Sequence, residues 1–289
     1  MISCSAFLVI SCGKTYATMK NIPIDKILFL DIETAPLFRS LENLPEYLRE
    51  YWLRRYDKKR LKDTASIMEE EYFLEKSGIH ALYSRVVCIG MGFFAREENG
   101  YKWRTQVLTD LLEKKILLDF ITFWDRFKQY SRRGLLDIVK FPVYGLCGHN
   151  IMSFDIPFLG RRFLLNSIPL PDFWKDNQYK KPWQLEDPLV IDTMLLWNFT
   201  AYENSFIPLE VLAGALGLPF SKSLSHTEIR EAFYRWEDSG DRGEFDPVVK
   251  YCMEDVRVVA EIYLLMQQPE GYETFLNILG YESPHYREK

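Results

Sequence analysis

The sequence predicts an α/β domain: a mixed five-stranded sheet, three strands in a meander and two parallel, with helices on both faces. Two observations carry this. Three strand-like runs come first and can pair as a meander, and after them helices and strands alternate, the order of parallel α/β units. The composition, 47% hydrophobic and 15% aromatic over 289 residues, supplies a large core for one elaborated domain.

The first run, Lys26 to Pro36 (KILFLDIETAP), is apolar until Asp31 and reads as a buried strand. Residues 37–84 are rich in Leu, Glu, Arg and Tyr and poor in β-branched side chains, which predicts a helical excursion. Arg85 to Phe94 reads as a second buried strand. Lys102 to Leu108 alternates and reads as a third, joined by a turn at 97–100. Leu112, Ile116, Phe120, Phe123 and Phe127 recur at helical spacing within 111–130. Short strands follow at 143–147 and 189–191, with a helix between them at 154–166 whose Pro157 is tolerated in the first turn. Helices at about 207–216 and 226–237 precede a long one over 246–267, with Pro247 in its first turn. Residues 1–20 are expected to be an extension, with Met19 the preferred start. The run Ala6 to Ile10 is too short, and lacks a preceding positive charge, to be a secretory signal. Residues 21–270 then form a single domain, and 271–289 are expected to be a tail.

The formal net charge of −5 excludes a globally basic nucleic-acid binder, so such a surface must be local. Five scattered cysteines without a Cys-x-x-Cys pair exclude a zinc cluster and suit reduced thiols, which points to the cytoplasm. No apolar run approaches the length of a membrane span.

The chemistry gathers at acids. Asp31 and Glu33 are two residues apart on a strand and so share a face, about 6.5–7 Å apart along the chain. Two carboxylates held that close in a dry place stay ionised only if a cation sits with them. Taken alone, the pair also fits a strand end meeting solvent. Asp155 lies where a strand has ended and a helix begins, beside Asn150 and Phe154, the place where α/β sheets gather ligands. A helix N-cap at Asp155 or Ser153 is the plainer alternative. On the long helix Tyr251 and Asp255 share a face at i and i+4, and an Asp among Val248, Val256, Val259 and Ile262 is costly without a partner. Hard oxygen ligands of this kind suit Mg²⁺ or Mn²⁺, completed by substrate phosphate.

These motifs, strand-Asp-x-Glu, then Asn-x₃-Phe-Asp, then Tyr-x₃-Asp, resemble the DEDD superfamily of 3′→5′ exonucleases, in the branch with tyrosine in the third motif. The histidine branch would place His at 250, where Lys stands. Within that branch the chain is similar to the predicted exonucleases related to the proofreading domain of family B DNA polymerases. The resemblance spans about residues 24–268 and implies a ribonuclease H-like fold. It implies two Mg²⁺ or Mn²⁺ ions: Asp31, Glu33 and Asp255 holding one, Asp31 bridging to the second, Asp155 supporting it. Tyr251 would orient the attacking water, and Asn150, Phe154 and Thr34 would meet the substrate. The implied partner is nucleic acid, single-stranded DNA ahead of RNA, cut from its 3′ end to 5′-mononucleotides; a catalytically idle nucleic-acid-binding module of the same fold is the alternative. Asp192 is a candidate brace or a helix cap, and His149 a structural residue. A last expectation concerns Arg49 to Lys62, seven basic residues against two acids with Tyr51, Trp52 and Tyr56 interleaved. Arg54, Arg55 and Lys58 would grip the strand, with Trp52 or Tyr56 stacking on bases; a solvated helix face is the alternative.

Overall fold

A computed structural model describes residues 22–60, 68–132, 144–180, 189–199, 206–220 and 224–280, without the side chains of 57–60. The expected N-terminal extension through residue 20, the end of the tail from 281, and Lys62 lie outside the described residues. The strands β1 (Ile27–Pro36), β2 (Ser84–Glu97), β3 (Gly100–Thr109), β4 (Gly145–Gly148) and β5 (Leu189–Asp192) form one sheet in the order β3-β2-β1-β4-β5. The first three run antiparallel as the expected meander, and β4 and β5 run parallel to β1. β1 is thus the central strand, paired on both edges, and its near-continuous apolar run is what such a position requires.

Alternation along β1 divides the core. Leu28, Leu30 and Ile32 pack with α3 (Glu113–Arg132) and α4 (Asp155–Leu165). Ile27 and Phe29 face α9 (Asp246–Gln267), through Val256, Val259 and Tyr263. Each helix presents one apolar stripe to its face of the sheet; α5 (Asp172–Asn177) packs with α4, and α7 (Leu209–Ala215) and α8 (His226–Ser239) pack on α9. The same parity sends Asp31 and Glu33 toward α9. A register shift follows Glu33, where Thr34 pairs with Val86 rather than with Val87. Between helix and sheet, Gly90 and Gly92 of β2 let α9 come close: a Cβ at Gly90 would lie 2.8 Å from Cys252 Sγ.

The excursion holds α1 (Glu46–Arg60) and α2 (Glu69–Lys76), which with Tyr83 enclose a satellite core. Here the expected roles of Trp52 and Tyr56 are corrected. Both are buried, at 2% and 5% exposure, with Trp52 against Phe73 and Tyr83 and Tyr56 against Tyr72. Leu48, Trp52 and Tyr56 recur every fourth residue, so they form the inward stripe of α1 and are closed to bases. The expected tail is also corrected in part. α10 (Tyr272–Ile278) buries Phe275 and Leu276 against Phe94 of β2, because three apolar side chains there outweigh the chain-end setting.

One buried ion pair fixes α4. Arg162 donates from Nε and Nη2 to the two oxygens of Glu113, at 2.8 and 2.5 Å, and from Nη1 to the Ala81 carbonyl at 2.7 Å. Glu113 also accepts from the Val86 amide and the Asn166 side chain. A bidentate pair with its remaining valences filled is the form in which buried charge is tolerated.

Candidate metal centre

The carboxyl ends of β1, β4 and β5 lie together, and acids occupy each. Asp31 and Glu33 come from β1, Asp192 from the last residue of β5, and Asp155 from the first turn of α4, just beyond β4. β4 pairs with β1 only as far as Phe29–Cys147. Past that point the Ile32 amide would lack a ladder partner, and Asp155 Oδ1 accepts from it at 3.2 Å. That bond brings the Asp155 carboxylate to the backbone between Asp31 and Glu33.

α9 supplies the opposite wall. Tyr251 and Asp255, one turn apart, are buried at 9% and 6% exposure, and Glu33 and Asp155 at 6% and 3%; Asp31 is half-buried. Burial pushes the Asp31 carboxyl well above the ordinary Asp range, and the charges of Glu33, Asp255 and Asp155 push it further. Asp155 is raised to about 7 by burial and by the Asp192 charge, against the pull of its own backbone amide and that of Ile32. The Tyr251 phenol is raised beyond its usual value by burial and by Asp255, Glu33 and Asp31, so it stays protonated. Asp31 thus feels the charges of Glu33, Asp155 and Asp255, and Tyr251 those of Asp31, Glu33 and Asp255. Like charges gathered in a dry pocket are what a cation relieves.

Cys252 is the residue that sequence reasoning missed. Its Sγ lies 3.6 Å from Asp31 Oδ2 and 3.7 Å from the Asp31 carbonyl, and Asp31, Glu33 and Cys252 place one donor atom each within 4.8 Å. Its contact with Cys88, its burial and the neighbouring carboxylates raise the thiol pKa well above the usual value. The protonated thiol donates to Asp31. The carboxylate oxygens of the pocket fit a hard divalent ion such as Mg²⁺ or Mn²⁺. Nothing in Cys252's sequence setting set it apart; only the close approach at Gly90 does.

Asp192 proves to be both brace and cap. Buried at 1% exposure, it accepts from the Met194 and Leu195 amides at the start of α6 (Thr193–Asn198) and from the Asn150 and Met152 amides of the loop before α4. Asn150 sits at φ 58°, a left-handed conformation that Asn tolerates and that turns the chain toward Asp155. His149 is structural as expected, its ring bonded to Thr193 Oγ1 and the Ile207 carbonyl. Phe154 is half-buried and packs on Phe158 and the core beneath α4. Thr34 differs from its expected role: it is buried and its hydroxyl donates to the Gly78 carbonyl at 2.7 Å, so that proton serves the fold. Of the basic run, Arg54 leans on Glu50, Arg55 is exposed over Tyr51, and the Lys58 side chain lies outside the described residues.

A mixed sheet in this order, with acids at the ends of its central strands, defines a class, and the family comparison agrees. The model of the RNase H superfamily matches residues 72–267, and the chain belongs to that superfamily. The match runs from α2 through α9 and leaves β1, with Asp31 and Glu33, ahead of it. Proteins of the superfamily are typically nucleases and bind nucleic acid, and those of this fold typically use divalent metals. Among curated proteins none matches the chain.

Proposed function

We propose that this protein is a metal-dependent 3′→5′ exonuclease of the tyrosine branch of the DEDD group, acting on single-stranded DNA ahead of RNA. The observation that carries it is the convergence of Asp31, Glu33, Asp155, Asp255 and Tyr251, drawn from three elements far apart in sequence, on one pocket at the carboxyl end of the central strands. Asp31, Glu33, Asp155 and Asp255 would hold one or two Mg²⁺ or Mn²⁺ ions, which supply positive charge to the attacking and leaving oxygens of phosphodiester hydrolysis. The Tyr251 hydroxyl, protonated and at the pocket wall, orients the attacking water by a hydrogen bond. Asp155 holds the β1 backbone in place at Ile32. Phe154, half-buried beside Asp155 in sequence, would stack on the terminal base. Three buried free thiols, Cys88, Cys147 and Cys252, suit a reducing compartment such as the cytoplasm.

The test uses purified protein and 5′-labelled DNA and RNA oligonucleotides with Mg²⁺, Mn²⁺ or EDTA. A ladder shortening from the 3′ end, lost in EDTA and restored by either ion, is the expected result. Cleavage undiminished in chelator, or internal cutting of a circular strand, defeats it.

A further inference from the structure

The residues after the 3₁₀ turn Ser77–Ile79 are held between two helices. From α1, the Trp52 ring meets the His80 ring edge-on, with centroids 5.9 Å apart. From α4, Arg162 grips the Ala81 carbonyl. The arginine next to each anchor is exposed. Arg55 lies one turn beyond Trp52, and Arg161 precedes Arg162. They therefore flank His80 from opposite helices. Burial lowers the His80 pKa, and the charges of both Arg55 and Arg161 lower it further, which places each arginine within electrostatic reach of His80.

Among the described residues, neither arginine forms an ion pair, although Arg54 and Arg162 beside them do. Two exposed guanidinium groups flanking one imidazole without a counter-charge favour an anion. A planar guanidinium matches phosphate oxygens two at a time. Arg55 lies 5.9 Å over the ring of Tyr51, which is 43% exposed and offers an aromatic face at the same spot. The patch is tied to the acidic pocket. Thr34, next to Glu33, bonds to Gly78 at 2.7 Å, and Arg161 follows Asp155 by six residues on α4. Six helical residues span about 9 Å, the length of about three stacked nucleotides.

We propose that Arg55, Arg161 and the edge of His80 form a subsite for the backbone phosphates of the bound strand, about two to three nucleotides from the bond that is cut, with Tyr51 stacking on a base. The assignment rests on the exonuclease reading and moves the grip from the α1 run to a junction of three elements. On a chain of net charge −5 a local cationic junction is the feature that can hold a polyanion near four carboxylates.

The test is equilibrium binding of fluorescent oligo(dT) and oligo(rU) in EDTA, which stops cleavage, over a series of salt concentrations. For the double variant Arg55→Gln/Arg161→Gln the slope of log K against log salt should become shallower by about 1.4, two phosphate contacts at 0.7 each. The charge-matched double Lys102→Gln/Arg104→Gln, on the β3 edge, should keep the wild-type slope. Tyr51→Ala should weaken binding roughly ten-fold without changing the slope. Thermal melts establish that each variant is folded, as exposed substitutions predict. Equal slopes for the two double variants overturn the subsite while leaving the exonuclease reading to its own assay. Wild-type protein that binds neither oligonucleotide at any salt concentration overturns both.

Discussion

At the scale of single residues the chemistry turns on which groups keep their protons. Tyr251 is buried among carboxylates that raise its pKa, so at neutral pH its phenol keeps its proton, which leaves it able to donate a hydrogen bond and unable to take up a proton as a base. Tyr251→Phe keeps the ring in the wall of the pocket and removes one hydrogen bond. Turnover should fall roughly ten- to a thousand-fold with KM little changed, the range for one bond made in the transition state. Steady-state kinetics on a labelled oligonucleotide measure this, and normal turnover would reduce Tyr251 to a core side chain. The acids of the pocket could be picked out in the sequence because three of the four stood in apolar settings without a nearby cation, and Tyr251 because it lies one helical turn from Asp255. Cys252 was not, because its contact with Asp31 joins residues 221 apart and depends on a helix seated over a glycine.

At the scale of elements, the approach of α9 to the sheet decides whether the two halves of the pocket meet. Gly90 is opposite Asp31 in the β1–β2 ladder, and its missing side chain leaves the space that Cys252 and Val256 occupy. Gly90→Ala should push α9 outward, destabilise the fold by about 1–3 kcal/mol as overpacking does, and lower activity further than that loss explains, since Asp255 and Tyr251 move with the helix. Chemical denaturation and turnover at a temperature where the variant is folded separate the two effects. Activity equal to wild type would mean that the pocket tolerates the shift. Strand and helix types followed from periodicity, including the exact span of α9. The misjudged parts were Thr34, Trp52, Tyr56 and α10. An aromatic among arginines reads equally as a stacking platform or an inward stripe until a partner such as Phe73 or Tyr83 is seen to cover it. A short apolar segment near a chain end gives no sign of the surface that will bury it.

For the whole molecule, the raised carboxylates make metal-free stability depend on pH. Asp155 binds its proton more tightly folded, near pH 7, than unfolded, at its ordinary value of 3.8, and Asp31 shifts the same way. The folded state therefore holds more protons over that window, and its stability falls as pH rises through it. The melting temperature in EDTA should drop between about pH 5 and about pH 8, and saturating Mg²⁺ should raise it more at the higher pH, because binding must expel those protons. Asp31→Asn should be more stable than wild type in EDTA at the higher pH and inactive at both. A metal-free melting temperature that rises over this range, or an equal Mg²⁺ shift at both values, would contradict the clustered-carboxylate account.

The seating of α9 on β1 also sets a timetable. The two sides of the pocket are made at different moments of synthesis, with Asp31 and Cys252 separated by 221 residues. At typical rates of chain elongation the second side follows the first by on the order of ten to forty seconds. Until it arrives, Ile27 and Phe29 have no α9 to lie beneath, and the central strand waits with one greasy face open to the ribosome's surroundings. The acidic pocket is therefore complete only when this last long helix has been delivered and seated.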